Sequence, residues 1–461
     1  MIKFLPKNLD LKKLLADNPP EFKYHIDHFV HLCSLIYEMP AKKKDCMRPG
    51  GFVPLNSFML KTVNNRYKRY LKYLIQYGVF ECDNSYIVGE KSKCYRYAEK
   101  YHDIIQPVYI TKYTLTSKLK EVHRFNRDMY AKYNYLNRWF SKDLTIEYAG
   151  AQQKLVELYY QDKEKGKPNA LHKLNANMVN LIKLDRKDFY FTVDSTSKRL
   201  HTLLTKLKKE LRDYITYDCQ PLANVDFQCS QPTLSLCLLD PTFYNTELKQ
   251  DRVTVNALYP ELAELLPIQT IASYVQANQD KFIQYREMVF KDLYISMGEV
   301  LNDNSIGFPT DRKSLKSMMY VVMFSHNKFI GGKKALPKRI FKQLFPEVYE
   351  VFKMYKTAGQ QHLPILLQKI EATLVLDRIA KSLSKASPGM PLFTVHDSIV
   401  CPTEKIGFCK EIIWKESLKY LGFEPVLGID RWGYPTEKET CYGPNSQQYN
   451  ISGSGCPKDA I

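Results

Sequence analysis

Two apolar segments, far apart in the chain, each carry an acid where burying one is costly. Val225-Asp226-Phe227 begins as a buried strand and passes through Gln228-Cys229-Ser230-Gln231-Pro232 into the apolar run Thr233–Leu239. Leu392-Phe393-Thr394-Val395-His396-Asp397-Ser398-Ile399-Val400-Cys401-Pro402 is apolar on both sides of its polar centre. A carboxylate in such surroundings is expensive unless something uses it. Pro232 suits the first turn of a helix, which puts Asp226 at a strand end, turned toward an incoming group. Strand, acid, then helix is a good geometry for a divalent cation bridging phosphates. On that segment alone, a turn or N-capping aspartate is the plainer reading. His396-Asp397 sits at the centre of a β-hairpin or a buried strand pair. If the two strands are neighbours, Asp397 can share two metal ions with Asp226. A His-Asp hydrolase dyad is the alternative, but no Gly-x-Ser-x-Gly elbow accompanies it.

A third segment supplies what the two acids lack. After Asp311 the pattern predicts a helix in which Arg312, Lys316, Tyr320 and Phe324 recur every four residues. Such positions form one slowly drifting stripe. Two cations suit the phosphates of a nucleotide, and two rings suit its sugar and base. Phosphoryl transfer is mostly positioning and charge neutralisation. The competing reading is an amphipathic helix whose rings lie in the core.

Charge points the same way. The 461 residues carry a formal net charge of +18 with 33 tyrosines and 23 phenylalanines. Lysine and arginine neutralise phosphates and release counterions, and aromatic rings stack on bases. With 44% hydrophobic residues the chain is long enough for two or three packed domains and is not a disordered one. Its 11 cysteines include no Cys-x-x-Cys pair, so Cys229 and Cys237 read as reduced core residues. The opening Met1–Pro6 lacks a secretory core and no run approaches membrane-spanning length, which predicts a cytoplasmic protein with no membrane partner.

Residues 1–110 read as a small amino-terminal module. Leu55 to Tyr77 has helix-spaced apolar positions interleaved with Lys61, Arg66, Lys68, Arg69 and Lys72, and Gly78 stops that helix. Strand-like pieces at Val79–Glu81 and Lys93–Tyr97 flank Asp83–Gly89 as a candidate hairpin. The order resembles a winged helix-turn-helix that contacts DNA; a packing module with solvated charges is the alternative. Residues 111–198 read as a basic helical region with a polar break at Gln161–Lys167, residues 199–435 as the catalytic core, and 436–461 as a flexible tail. His25, His28, His31 and Cys33 read as an ordinary amphipathic helix.

The three segments resemble motifs A, B and C of the family A DNA polymerases and the related single-subunit RNA polymerases, over roughly residues 190 to 430. The resemblance implies an α+β right-hand fold with an antiparallel palm sheet and helical fingers in residues 199–435, and a helical thumb in 111–198. It implies that Asp226 and Asp397 bind two catalytic Mg²⁺ ions, with Mn²⁺ as an alternative occupant. Arg312 and Lys316 would hold the triphosphate, Lys316 also protonating the pyrophosphate leaving group. Tyr320 and Phe324 would line the sugar and the templating pair, and His396 would sit near the primer end. Asp194–Thr202 is similar to the family's Thr-x-Gly-Arg-Leu-Ser segment, which gives Arg199 a primer or template contact, although Lys198 stands where the family has glycine. Gln368, on a helix expected from Leu363 to Ile379, would contact the template.

Three departures bear on the sugar. Motif A has no glutamate after Asp226, and its serine comes four residues on, as in the RNA polymerases. Ser398 ends motif C where DNA polymerases have glutamate. Phe324-Ser325 stands where Tyr-Gly is usual, whereas Tyr320 matches the DNA enzymes. The expected function is template-directed DNA synthesis from nucleoside triphosphates on a DNA template with a primer or nascent strand. RNA synthesis is the close alternative. A catalytically idle relative that only binds nucleic acid is the rival of another class.

Overall fold

The structure, a computed structural model, describes residues 1–43, 46–87, 90–124, 127–245, 251–304, 307–433 and 439–445. Within them the chain forms two units, residues 1–192 with 201–219 and residues 193–200 with 220–461.

The first unit opens with β1 (Ile2–Pro6), α1 (Ile26–Lys42), β2 (Val53–Pro54), α2 (Ser57–Val63), α3 (Tyr67–Gln76), β3 (Phe80–Cys82), β4 (Cys94–Tyr97) and β5 (Ile105–Tyr109). β1 and β5 pair antiparallel, and β2, β4 and β3 form a second small sheet in that order. The single helix expected over Leu55–Tyr77 is in fact two. Asn56 caps the first through its side-chain oxygen, and Asn64 closes it in extended backbone before α3 begins. Asparagine favours such local side-chain bonding over helix continuation. The hairpin is present as β3 paired with β4, while residues 88 and 89 of its connection lie outside the described residues. β6 (Leu144–Ile146), the helical pair α4 (Tyr148–Glu164) and α5 (Ala170–Asp185), and β7 (Ile215–Tyr217) complete the unit. The polar Gln161–Lys167 stretch lies at the end of α4 and the turn after it. Phe4, Phe29, Ile36, Leu74, Phe80 and Leu181 lie in its core. One buried acid ties it together: Glu38 of α1 takes Lys3 at 2.9 Å and Lys183 of α5 at 3.4 Å. His31 of α1 is buried as well.

The second unit is built on an antiparallel sheet of mixed helix-and-sheet architecture. Its strands are β8 (Gln220–Phe227), β9 (Phe393–Val395), β10 (Ser398–Pro402), β11 (Leu427–Arg431) and β12 (Glu439–Cys441). The order is β9-β10-β8-β11-β12, so β8 is central. β12 falls inside the segment expected to be a flexible tail. Its ladder to β11 and the burial of Cys441 hold it there; residues 434–438 and 446–461 lie outside the described residues. The helices that matter for the site are α6 (Ser230–Ser235), α7 (Leu293–Asp303), α8 (Arg312–Phe324), α9 (His362–Ala372) and α10 (Ile406–Leu421). α9 continues through a π-helical stretch at Thr373–Ala380 into Lys381–Ala386. Among the described residues no helix is long and apolar enough to cross a membrane.

Candidate active site

The sheet register brings the two aspartates together. Asp226 on β8 stands opposite Ser398 on β10, with Asp397 the residue before it. On its other side Asp226 faces Gly428 of β11. Both cross-strand neighbours are small, which leaves the space above Asp226 to something else. Asp397 is not on a strand: Val395 pairs with Ser398, so His396-Asp397 is the two-residue turn of the β9–β10 hairpin. The turn needs a left-handed residue at its first central position, and His396 supplies it with φ 56°. Just after β8, Cys229 is also left-handed, at φ 48°, and begins α6. A non-glycine residue there costs roughly 1–2 kcal/mol. Strain of that kind gathers at functional sites.

A third acid, which sequence reasoning did not single out, completes the floor. Glu371 of α9 is buried at 1% exposure. Arg199 donates to both its oxygens, at 2.7 and 2.6 Å, and the Gln231 amide of α6 donates at 2.9 Å. Ser230 lies beside the carboxyls of both Glu371 and Asp397. Gln368, the residue expected on this helix, is half-buried three positions earlier. Arg199 is aimed by its turn: Asp194 accepts from Thr196 N and Ser197 Oγ, both at 2.7 Å, and Lys198 N donates to Asp194 O. Lys198, which the sequence resemblance aligns with a glycine, has φ 61°. Lys198→Gly is therefore expected to stabilise the fold by about 0.5–1 kcal/mol. Thermal unfolding reads this as a higher midpoint.

The cationic stripe faces outward. Leu315, Met318, Met319, Val322 and Met323 of α8 are buried, while Arg312, Lys316 and Tyr320 are exposed. Tyr320 and Phe324 stack at 4.7 Å between centroids. Asp311 caps the helix at Lys313 N and Ser314 N. At its other end Lys356, buried, donates to Val322 O and Ser325 O. Arg312 is held by an acid that the sequence reading did not include: it donates to Asp292 Oδ2 at 2.7 Å, and Cys229 Sγ lies 3.9 Å from Asp292 Oδ1. Through Asp292 the first turn of α8 is tied to the strand end that carries Asp226.

Asp397 is the electrostatic centre. Burial first, then the charges of Glu371 and Asp226, push its carboxyl up to about 7. Crowded acids of this kind call for a cation. Among the described residues no group of three or more His, Cys, Asp or Glu side chains could hold a metal by itself. Mg²⁺ does not require one: it is commonly bound by one or two carboxylates, with water and substrate phosphates filling its octahedron. Asp226 and Asp397 fit that role as hard oxygen donors.

The shift has a pH consequence. The folded value lies above the unfolded one near 3.8, so this carboxyl's stabilising contribution is complete below about pH 4 and is lost as pH rises through about 7. In chelator, the melting midpoint should fall across that window. Asp397→Asn should flatten the fall, and added Mg²⁺ should raise the midpoint most at the alkaline end, where the acid is ionised.

No family model matches the chain, and no curated protein matches it. Among solved structures it is similar to the POL domain of Pol1 from M. smegmatis, a structure in complex with DNA primer-template and dNTP. The identity is 10%, the match covers 69% of this chain and 73% of that one, and the TM-score is 0.28. The two superpose loosely, and the functional reading stands on this chain's own side chains.

Proposed function

We propose that this chain is a template-directed nucleotidyltransferase, a DNA polymerase of family A type that uses two Mg²⁺ ions. The observation that carries the reading is the antiparallel register that sets Asp226 beside the hairpin turn bearing Asp397. The outward stripe of α8, tied to the same strand end through Asp292, supports it.

In this reading Asp226 and Asp397 hold the ions, which when bound neutralise the triphosphate and activate the attacking hydroxyl. Arg312 and Lys316 grip the β- and γ-phosphates, and Arg312 leaves Asp292 to do so. Tyr320 and Phe324 present one stacked face to the sugar and the templating pair. Arg199, braced by Glu371, and His396, fixed by the left-handed turn, lie toward the primer end, with Gln368 toward the template. The 3′-hydroxyl attacks the α-phosphorus and gives up its proton to solvent, the bond to the bridging oxygen breaks, and pyrophosphate leaves with a proton from Lys316, which solvent then restores. Residues 1–110 are the amino-terminal winged-helix-like module, residues 111–198 the thumb and residues 199–435 the palm and fingers. A cytoplasmic location goes with the reading.

RNA synthesis is the second reading, favoured by one feature: Gln231 stands five residues after Asp226, where the DNA enzymes carry their sugar-excluding glutamate, and its amide donates to Glu371 at 2.9 Å. One assay decides both questions. Labelled dNTPs and rNTPs are offered with Mg²⁺ on primed and unprimed templates. Extension of the primer with dNTPs supports the proposal, extension with rNTPs transfers it to RNA synthesis, and binding without any addition overturns the enzyme.

A further inference from the structure

The first unit carries a groove that the polymerase reading does not use. It lies between α2, α3 and the start of β4 and has a volume of about 1170 Å³. That exceeds the roughly 300–1,000 Å³ of ordinary small-molecule pockets. Its floor is apolar and buried, made by Leu60, Tyr67, Leu71 and Tyr95. Its rim is the reverse. Lys61, Lys68, Lys72 and Lys93 stand along it, all exposed, and no acid lines it. Among the described residues none of the four is paired with an acid. Lys68 and Lys72 are one turn apart on α3, so their charges share one wall.

Two rings at the rim are more telling than the charge. Phe58 is 79% exposed and Tyr86 52%. A phenylalanine left almost wholly in water gains nothing from folding, because its apolar area stays hydrated. Both line the groove beside its lysines, where an exposed ring is accessible to a planar ligand. Cations tracking a backbone beside rings that stack on bases are the two parts of a single-strand binding site. Duplex bases are already stacked on each other and cannot use the rings. An acidic peptide would use the lysines and leave the rings idle, and a flat anionic lipid surface would meet the rim without filling the recessed floor.

We propose that this groove binds an extended stretch of single-stranded DNA, at a site separate from the aspartate cleft. The choice of DNA over RNA rests on the proposed polymerase reading; the single-strand assignment rests on the groove alone.

The test uses the full chain and a labelled oligothymidylate of about 20 nucleotides, followed by anisotropy across a salt series. Lys61→Ala/Lys68→Ala/Lys72→Ala should weaken binding and reduce the log–log salt slope by about 2, at about 0.7 per lost contact on single strands. Phe58→Ala should weaken binding by about fivefold or more while leaving the slope unchanged, since stacking on a ring carries no counterion. Photo-cross-linking of a bromodeoxyuridine oligomer to the unmodified protein, with peptide mapping, gives a readout that needs no variant. Cross-links in residues 55–95 support the proposal. Cross-links confined to residues 193–461, or unchanged binding by both variants, overturn it. A matched duplex that binds more tightly through the same lysines makes the groove a duplex-reading face and also overturns it. Tighter oligouridylate binding overturns the DNA assignment, and competition by polyglutamate with no Phe58 effect reduces the groove to an unspecific basic patch. Primer extension, measured separately, distinguishes failure of this site from failure of the polymerase reading, and Asp226→Ala should leave the cross-links in place.

Discussion

Asp226→Ala and Asp397→Ala should each lower nucleotide addition on the order of 10³-fold or more, about 4 kcal/mol of barrier, with primer-template affinity retained. Asp226 on β8 lies beside the β9–β10 turn that carries Asp397, so either loss leaves the other without its partner donor. The effects should not add, because residues that act as a unit lose most of their function at the first removal. Stability should move the other way at Asp397. Its carboxyl is crowded by Glu371 and Asp226, and replacement by a neutral amide relieves that repulsion. Asp397→Asn is thus expected to be inactive yet to melt higher at neutral pH in chelator. Such an opposition of activity and stability marks a site strained for function. Single-turnover addition with saturating Mg²⁺ and a thermal melt on the same preparation measure both. Addition that survives both alanine changes would remove Asp226 and Asp397 from the chemistry.

The parts of this site that were legible in the sequence are those fixed by local chemistry. Asp311 announces the start of α8 because a capping side chain bonds two residues ahead. The four-residue spacing then settles which side chains share a face. Asp226 could be assigned to a strand end because apolar residues precede it and a proline-bearing helix follows. Glu371 was not legible in the same way, since its partners Arg199 and Gln231 are 172 and 140 positions away. A signal did exist: one acid among Leu366, Leu367, Ile370 and Ala372 in a helix face that should be wholly apolar. Gln368, the polar residue singled out there, lies nearly one turn off. Asp292 was hidden because a helix N-cap explains it fully, and only the fold reveals that its second oxygen takes Arg312. The break at Asn64 could have been read from Asn64-Asn65, two residues that favour caps and turns, but the unbroken apolar periodicity concealed it. Lys198 shows the opposite case. It stands where the resemblance places a glycine, and its backbone takes the left-handed conformation that glycine favours with a lysine in it.

Lys316→Ala should reduce kcat/KM for nucleotide by about 10²–10³-fold, or about 2.7–4 kcal/mol, the range for loss of one preorganised donor to a developing charge. Lys316 is exposed on α8, one turn beyond Arg312, and among the described residues it has no ion pair. Its ammonium is therefore available to a triphosphate with no partner to displace. Arg312 differs, because Asp292 already holds it at 2.7 Å. Part of what Arg312 gains from a phosphate is offset by leaving that carboxylate, so Arg312→Ala should cost less than Lys316→Ala. Asp292→Asn keeps an oxygen for the α7 cap and weakens the hold on Arg312, and should lower the nucleotide KM. The two cations also differ in which parameter they move. Loss of a grip made equally before and during reaction raises KM alone, whereas loss of a proton donor to the leaving pyrophosphate lowers kcat. Lys316→Arg separates these roles: a guanidinium keeps the positive charge but scarcely gives up a proton. It should restore KM toward the parent value and leave kcat depressed. Full recovery of kcat by arginine would confine Lys316 to charge, and an unchanged profile in Lys316→Ala would remove α8 from nucleotide binding.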